Sequence, residues 1–181
     1  RRRKKMTGKT FLICHRGALG DFLLTWPALF MLRNSFHSHS FTGIGRPEHL
    51  RLAKKFGLLD TFLDAESADM MDFFEGRKIP EAMGRPDAAA LWLTGGRKPA
   101  DLLSAVSSLP AAAIEPFPPE GMNVARYHCK KVSELFGIGM PGKPSDCLPE
   151  FNFTCGDNIF IHPGSGSASK NWSPEFYLNL A

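Results

Sequence analysis

The chain has 181 residues, 43% of them hydrophobic and 22% charged, an ordinary globular composition with room for one full core or somewhat more, which excludes a large multidomain machine. Lys and Arg number 22 against 18 Asp and Glu, yet Arg1, Arg2, Arg3, Lys4 and Lys5 account for the excess, and without them the balance is 17 to 18. The basicity is a tail, and the body of the chain lacks the cationic face that a nucleic-acid-binding module needs.

The tail reads as a solvated start, with peripheral contact to anionic lipid open to it at about 1 kcal/mol per basic residue. The longest apolar stretch, 22–32, contains Thr25 and Pro27 and is far short of the roughly 20 residues a spanning helix requires. No apolar run with a small-residue cleavage site follows the basic start, so the expected location is cytoplasmic, with a peripheral position at the membrane face left to the tail. Cys14, Cys129, Cys147 and Cys155 form no CxxC pair and have no histidine at zinc-ligand spacing. Free thiols and no metal or cofactor are expected, and His37 and His39 read as loop histidines.

In chain order, the apolar run 10–14 predicts a buried strand, broken by Gly17-Ala-Leu-Gly20 and followed from Asp21 by apolar residues at helical spacing to about 34–36. Pro27 is expected to kink that helix. A second strand is predicted at 40–44, a helix at 47–56 opened by Pro47, and a third strand at 61–64. The alternation continues with a helix at 68–75, a strand at 88–93, a helix at 100–106, a strand at 111–115 and a helix at 122–136.

Strands alternating with helices imply a parallel sheet covered on both faces, hence an α/β, Rossmann-like domain. Residues 137–149 hold three Gly and three Pro, a linker composition. Beyond it a new strand is predicted at 158–162, then Pro163-Gly-Ser-Gly-Ser167 and a helix from Ser173. One strand and one helix cannot bury both faces, so this piece reads as the start of a second domain completed by residues outside the sequence. The expected division is a basic tail at 1–9, a first domain at 10–136, a linker at 137–156 and the start of a second domain at 157–181.

Both glycine turns follow strands, where ligands of open α/β sheets bind against helix N-termini. The first, His15-Arg-Gly-Ala-Leu-Gly-Asp21, puts a carboxylate in a first helical turn, where spacing alone reads as a capping acid. It is not GxGxxG, and no ribose-binding acid follows, so a nicotinamide enzyme fits poorly.

Residues 11–33, FLICHRGALGDFLLTWPALFMLR, resemble the opening motif of the family-9 glycosyltransferases, the ADP-heptose:lipopolysaccharide heptosyltransferases. In that motif a Gly-Asp pair precedes a Leu-Thr-x-Pro-x-Leu helix. Residues 159–172, IFIHPGSGSASKNW, resemble the family's second signature, and 125–138 its helix closing the first domain. The resemblance implies a two-domain GT-B fold and an inverting, metal-independent transferase. It implies a first domain that binds a lipopolysaccharide inner-core acceptor and a second that binds a nucleotide sugar, ADP-heptose in the first instance.

By the same resemblance Asp21 matches the base that takes the acceptor's proton, and Lys170, with Gly164, Ser165, Gly166 and Ser167, matches the loop that holds the donor diphosphate. Arg16, Gly17 and Gly20 fall on the acceptor side, Arg16 as a partner for acid groups or as half of a structural salt bridge. His15 and His162 end buried strands and read as core or crevice residues. Trp172 reads as a packing residue. The competing reading is an acceptor-binding α/β module without a complete donor pocket.

Overall fold

The computed structural model describes residues 8–149 together with Asn171, Ser173, Glu175 and Phe176. The chain divides into two units, Arg1–Pro149 and Glu150–Ala181. Of the second, Glu175 and Phe176 are helical, while the strand expected at 158–162 and the glycine loop after it lie outside the described residues.

The first unit alternates strictly: β1 (Thr10–His15), α1 (Leu19–Ser35), β2 (Ser40–Gly45), α2 (Pro47–Lys55), β3 (Thr61–Asp64), α3 (Ala68–Phe74), β4 (Ala88–Trp92), α4 (Arg97–Ser104), β5 (Ala111–Ile114) and α5 (Val124–Phe136). Every strand pair is parallel, in the order β3-β2-β1-β4-β5. This is the expected α/β, Rossmann-like layer.

Period-2 burial sets its two faces. Phe11 and Ile13 of β1, with Ala88, Ala90 and Trp92 of β4, pack among α1, α2 and α5. Leu12 and Cys14, with Ala89 and Leu91, pack among α3 and α4. With both faces covered, β4 is buried along its whole length, as a central parallel strand must be.

The helix ends follow local chemistry. α5 opens on Asn123, whose side chain accepts a hydrogen bond from the backbone N–H of Arg126 at 3.0 Å, and stops at Gly137 in the left-handed region at φ 65°. α1 continues through Pro27 to Ser35. α4 starts at Arg97, three residues before the expected 100, because Pro99 fits a first helical turn, where no N–H is needed.

Residues 137–149, expected to link two domains, are instead fastened to the first unit. Ile138, Cys147 and Leu148 pack against its core, Ser133 Oγ donates to the Ile138 carbonyl at 2.6 Å, and a short 3-10 turn forms at Pro144–Cys147. Glycine and proline content exposed the absence of a long helix here. It carried no information about the three apolar side chains that hold the segment down.

Candidate active site

From β1 the chain winds outward to β2 and β3, then returns past β1 to lay down β4 and β5. The connections leaving β1 and β4 therefore diverge, and a crevice opens between the carboxyl ends of these two strands, the usual ligand position in an open α/β sheet. There a cleft of about 250 Å3 is lined on one side by His15, Arg16, Gly17 and Asp21. Trp92 at the end of β4 lines it with Leu93 and Thr94 beyond, and Pro116 and Phe117 line it after β5.

Asp21 sits half-buried in the first turn of α1, where the N-cap residue Ala18 provides no side-chain cap. The free N–H groups and dipole of that turn favour an anion. Arg16 is exposed, and its guanidinium carbon lies 4.4 Å from the centre of the Phe74 ring. Of the two roles open to Arg16 in the sequence, the salt bridge does not form among the described residues; a cation–π contact holds it at the rim.

Gly17 has a steric role: a Cβ there would lie 2.9 Å from His15 Cε1 and 3.7 Å from the Asp21 Cβ. The turn thus folds down onto the His15 ring beside Asp21. Gly20 differs, since a Cβ there meets nothing within 4 Å and the residue does not line the cleft. Lys170 and residues 164–167, assigned to the donor, lie outside the described residues.

Beneath Asp21 lies a histidine-rich floor. Register pairs His15 with Trp92 across β1 and β4, and α5 brings His128 against the indole, whose Nε1–H donates to His128 Nδ1 at 3.1 Å. His15 and His128 are 3% and 1% exposed, and burial pushes each imidazole down to about 4. His128 and His49 further disfavour the proton on His15, while the Asp21 carboxylate pulls His128 the other way. His15 and His128 are both neutral at neutral pH. His15 packs on Phe22 at 5.2 Å between ring centres, and its Nδ1 is buried without a hydrogen-bond partner.

The β1 side of this cleft is legible in the sequence and the β4 side is not assigned there. A bulky Trp92 ending the alanine-rich run 88–90 was an available signal. His128 left none, since its pattern is that of any helix residue facing a core. At the mouth, Phe117 is 67% exposed, a large apolar side chain at the lip of a cleft otherwise floored by buried groups. Among the described residues no group of three His, Cys, Asp or Glu side chains is arranged to hold a metal ion, and no helix is long and apolar enough to cross a membrane.

No protein-family model and no curated protein sequence matches the chain. Solved structures do. E. coli heptosyltransferase WaaC with ADP-2-deoxy-2-fluoro heptose superposes with a TM-score of 0.64 at 14% identity, over 94% of this chain and 64% of that one. WaaC with ADP gives 0.64 at 15% identity, over 94% and 63%. A glycosyl transferase of family 9 from Veillonella parvula gives 0.52 at 16% identity, over 72% of this chain and 42% of its own. The chain thus spans less than two thirds of each of these proteins. At such identities the likeness is one of fold: the five-stranded parallel sheet and its helices match the N-terminal part of the heptosyltransferase structures, a GT9-like fold.

Proposed function

We propose that the protein is a sugar-nucleotide-dependent glycosyltransferase whose first unit binds the acceptor in the cleft between β1 and β4, with Asp21 as the general base. The observation that carries this reading is the position of Asp21, a half-buried carboxylate opening into the cleft at the switch point of a GT9-like fold. The carboxylate takes the proton of the acceptor hydroxyl as that oxygen attacks the anomeric carbon. The bond from that carbon to the diphosphate breaks, the diphosphate leaves with the electron pair, and configuration inverts. No metal ion is required in this scheme.

The WaaC structures hold ADP and an ADP-heptose analogue, and the sequence motifs point the same way, so ADP-heptose is the proposed donor and a lipopolysaccharide inner-core saccharide the proposed acceptor. Lys170 and the 164–167 loop are the proposed diphosphate contacts. The reaction is placed in the cytoplasm, with residues 1–5 available to anionic lipid at the membrane face.

Because the matched proteins are longer, the test uses the full-length polypeptide. With ADP-heptose and a de-acylated inner-core oligosaccharide, Asp21→Asn should lower kcat by about 10²- to 10⁴-fold, the scale of a general base, with the donor KM nearly unchanged. A folded variant with normal turnover would return Asp21 to the role of a helix-capping acid.

A further inference from the structure

Phe117 is the large apolar side chain that the cleft leaves open to water. It lines the cleft after β5 and stays 67% exposed, whereas the other aromatic ring of the lining, Trp92, is sealed in the core at 2%. Exposure alone says little, because single apolar residues on a surface are ordinary, and Met71 on α3 is equally exposed without lining the cleft. Phe117 differs in how it is held. Pro116 precedes it and Pro118 and Pro119 follow, so φ is fixed on both sides, and Phe117 itself, standing before a proline, is kept out of the helical region. Glu115 anchors the start of this segment: its Oε1 accepts the backbone N–H of Gly95 at 3.3 Å, which ties the connection after β5 to the one after β4. The stiffness of the tethered loop holds the ring at the lip, and a ligand that covers it meets a surface already ordered. In the sheet, β4 stands between β1 and β5. The connections that carry Asp21 and Phe117 therefore leave strands about 10 Å apart, twice the spacing of neighbours, and a sugar ring fits between them.

We propose, on the acceptor reading given above, that Phe117 is a specificity-determining contact of the acceptor site: the C–H face of the acceptor saccharide packs on its ring, across the cleft from Asp21. A sugar ring has two kinds of surface, faces of C–H groups that make no ordinary hydrogen bond and an edge of hydroxyls. The face of an aromatic ring carries partial negative charge, which meets the weakly positive C–H groups, and covering one with the other releases water from both. The hydroxyls are then left for Asp21, Arg16 and Thr94, the polar side chains that line the same cleft. Phe117 moves no proton. It selects which face of the saccharide is presented, and so which hydroxyl lies at the Asp21 carboxylate.

The test uses the full-length protein with ADP-heptose and a de-acylated inner-core oligosaccharide. Covering the exposed two thirds of a Phe side chain corresponds to about 5- to 30-fold in affinity. Phe117→Ala should raise the acceptor KM by that factor, with kcat and the donor KM within about twofold of the parent. Phe117→Tyr keeps the ring and should stay within about threefold of the parent, while Phe117→Leu, apolar but without a flat face, should resemble the Ala variant. Met71→Ala, which removes an equally exposed side chain from α3, should change neither KM. Because Phe117 lies on the surface, none of these variants should shift the thermal midpoint by more than a few degrees. A second readout needs no donor: in Phe117→Trp, the emission in excess of the parent's should shift to the blue and saturate as the oligosaccharide is added.

An unchanged acceptor KM in Phe117→Ala would overturn the proposal, as would a Leu variant as good as the parent. If no sugar nucleotide supports transfer by the parent protein, the glycosyltransferase reading fails, and the titration of Phe117→Trp then decides the saccharide contact by itself. Emission that does not move with the oligosaccharide overturns the proposal in either case.

Discussion

Acid should unfold this protein through its buried histidines. His15 and His128 ionise in the folded chain only near 4, against 6.5 when free, because both lie in the core and desolvation penalises their charged forms. Above about pH 6.5 neither the folded nor the unfolded chain holds these protons, and the groups do not affect stability. Between 6.5 and 4 the unfolded chain takes up protons that the folded chain refuses, so stability falls as pH falls, by about 1.4 kcal/mol per pH unit for each histidine. Below about 4 both states are protonated and this source of loss levels off. Each group is worth about 3 kcal/mol over the window, and the pair together is comparable to the whole stability of roughly 5–15 kcal/mol of a small domain. Buried His39, also lowered chiefly by desolvation, adds in the same direction. The Asp60 carboxyl, held low chiefly by its hydrogen bond from Arg33, loses its contribution only below its usual 3.8, and so does not confuse the window. Urea midpoints followed by circular dichroism from about pH 7.5 to 4.5 should drop steeply below 6.5 with the slope m unchanged. The His128→Asn variant, with one titrating group fewer, should drop less steeply, with His15 and His39 still contributing. A midpoint that is flat between pH 7 and 5, or an unchanged pH dependence in His128→Asn, would refute the account.

Two further substitutions probe what holds the cleft in place. Gly45→Ala should cost about 1–3 kcal/mol or more, the scale of overpacking, because a Cβ there would lie 2.4 Å from the His15 backbone oxygen and a backbone atom cannot swing aside; thermal unfolding measures it, and a neutral result would mean that β1 and β2 can part. Asn123→Ala should cost about 1 kcal/mol by loss of the α5 cap, read from denaturant midpoints at constant m.

Much of the fold was legible because each element of the first unit is locally consistent. The runs at 10–14 and 88–93 are short, apolar and bounded by turn residues, and Pro47 and Asn123 stand where a helix starts, so strand, turn and helix could be assigned from neighbours in sequence. Alternation of the elements then left a parallel sheet as the architecture able to cover them. The Gly17–Asp21 turn was likewise visible, since a glycine turn and a first-turn carboxylate are local features. What sequence order alone did not contain is the order of strands in the sheet. That order places β4 beside β1, opens the crevice between them and sets Trp92 against His15. His128 enters the same site from 36 residues further on, and nothing in its surroundings along the chain separates it from Val132 or Cys129, which face the same core. The anchoring of 137–149 was hidden for a related reason: whether Ile138 and Leu148 face water or α5 depends on a surface made by residues far away in the chain. Local conformational preference is written into a sequence a few residues at a time. A site assembled from the ends of separate strands exists only after tertiary packing has chosen which of them are neighbours.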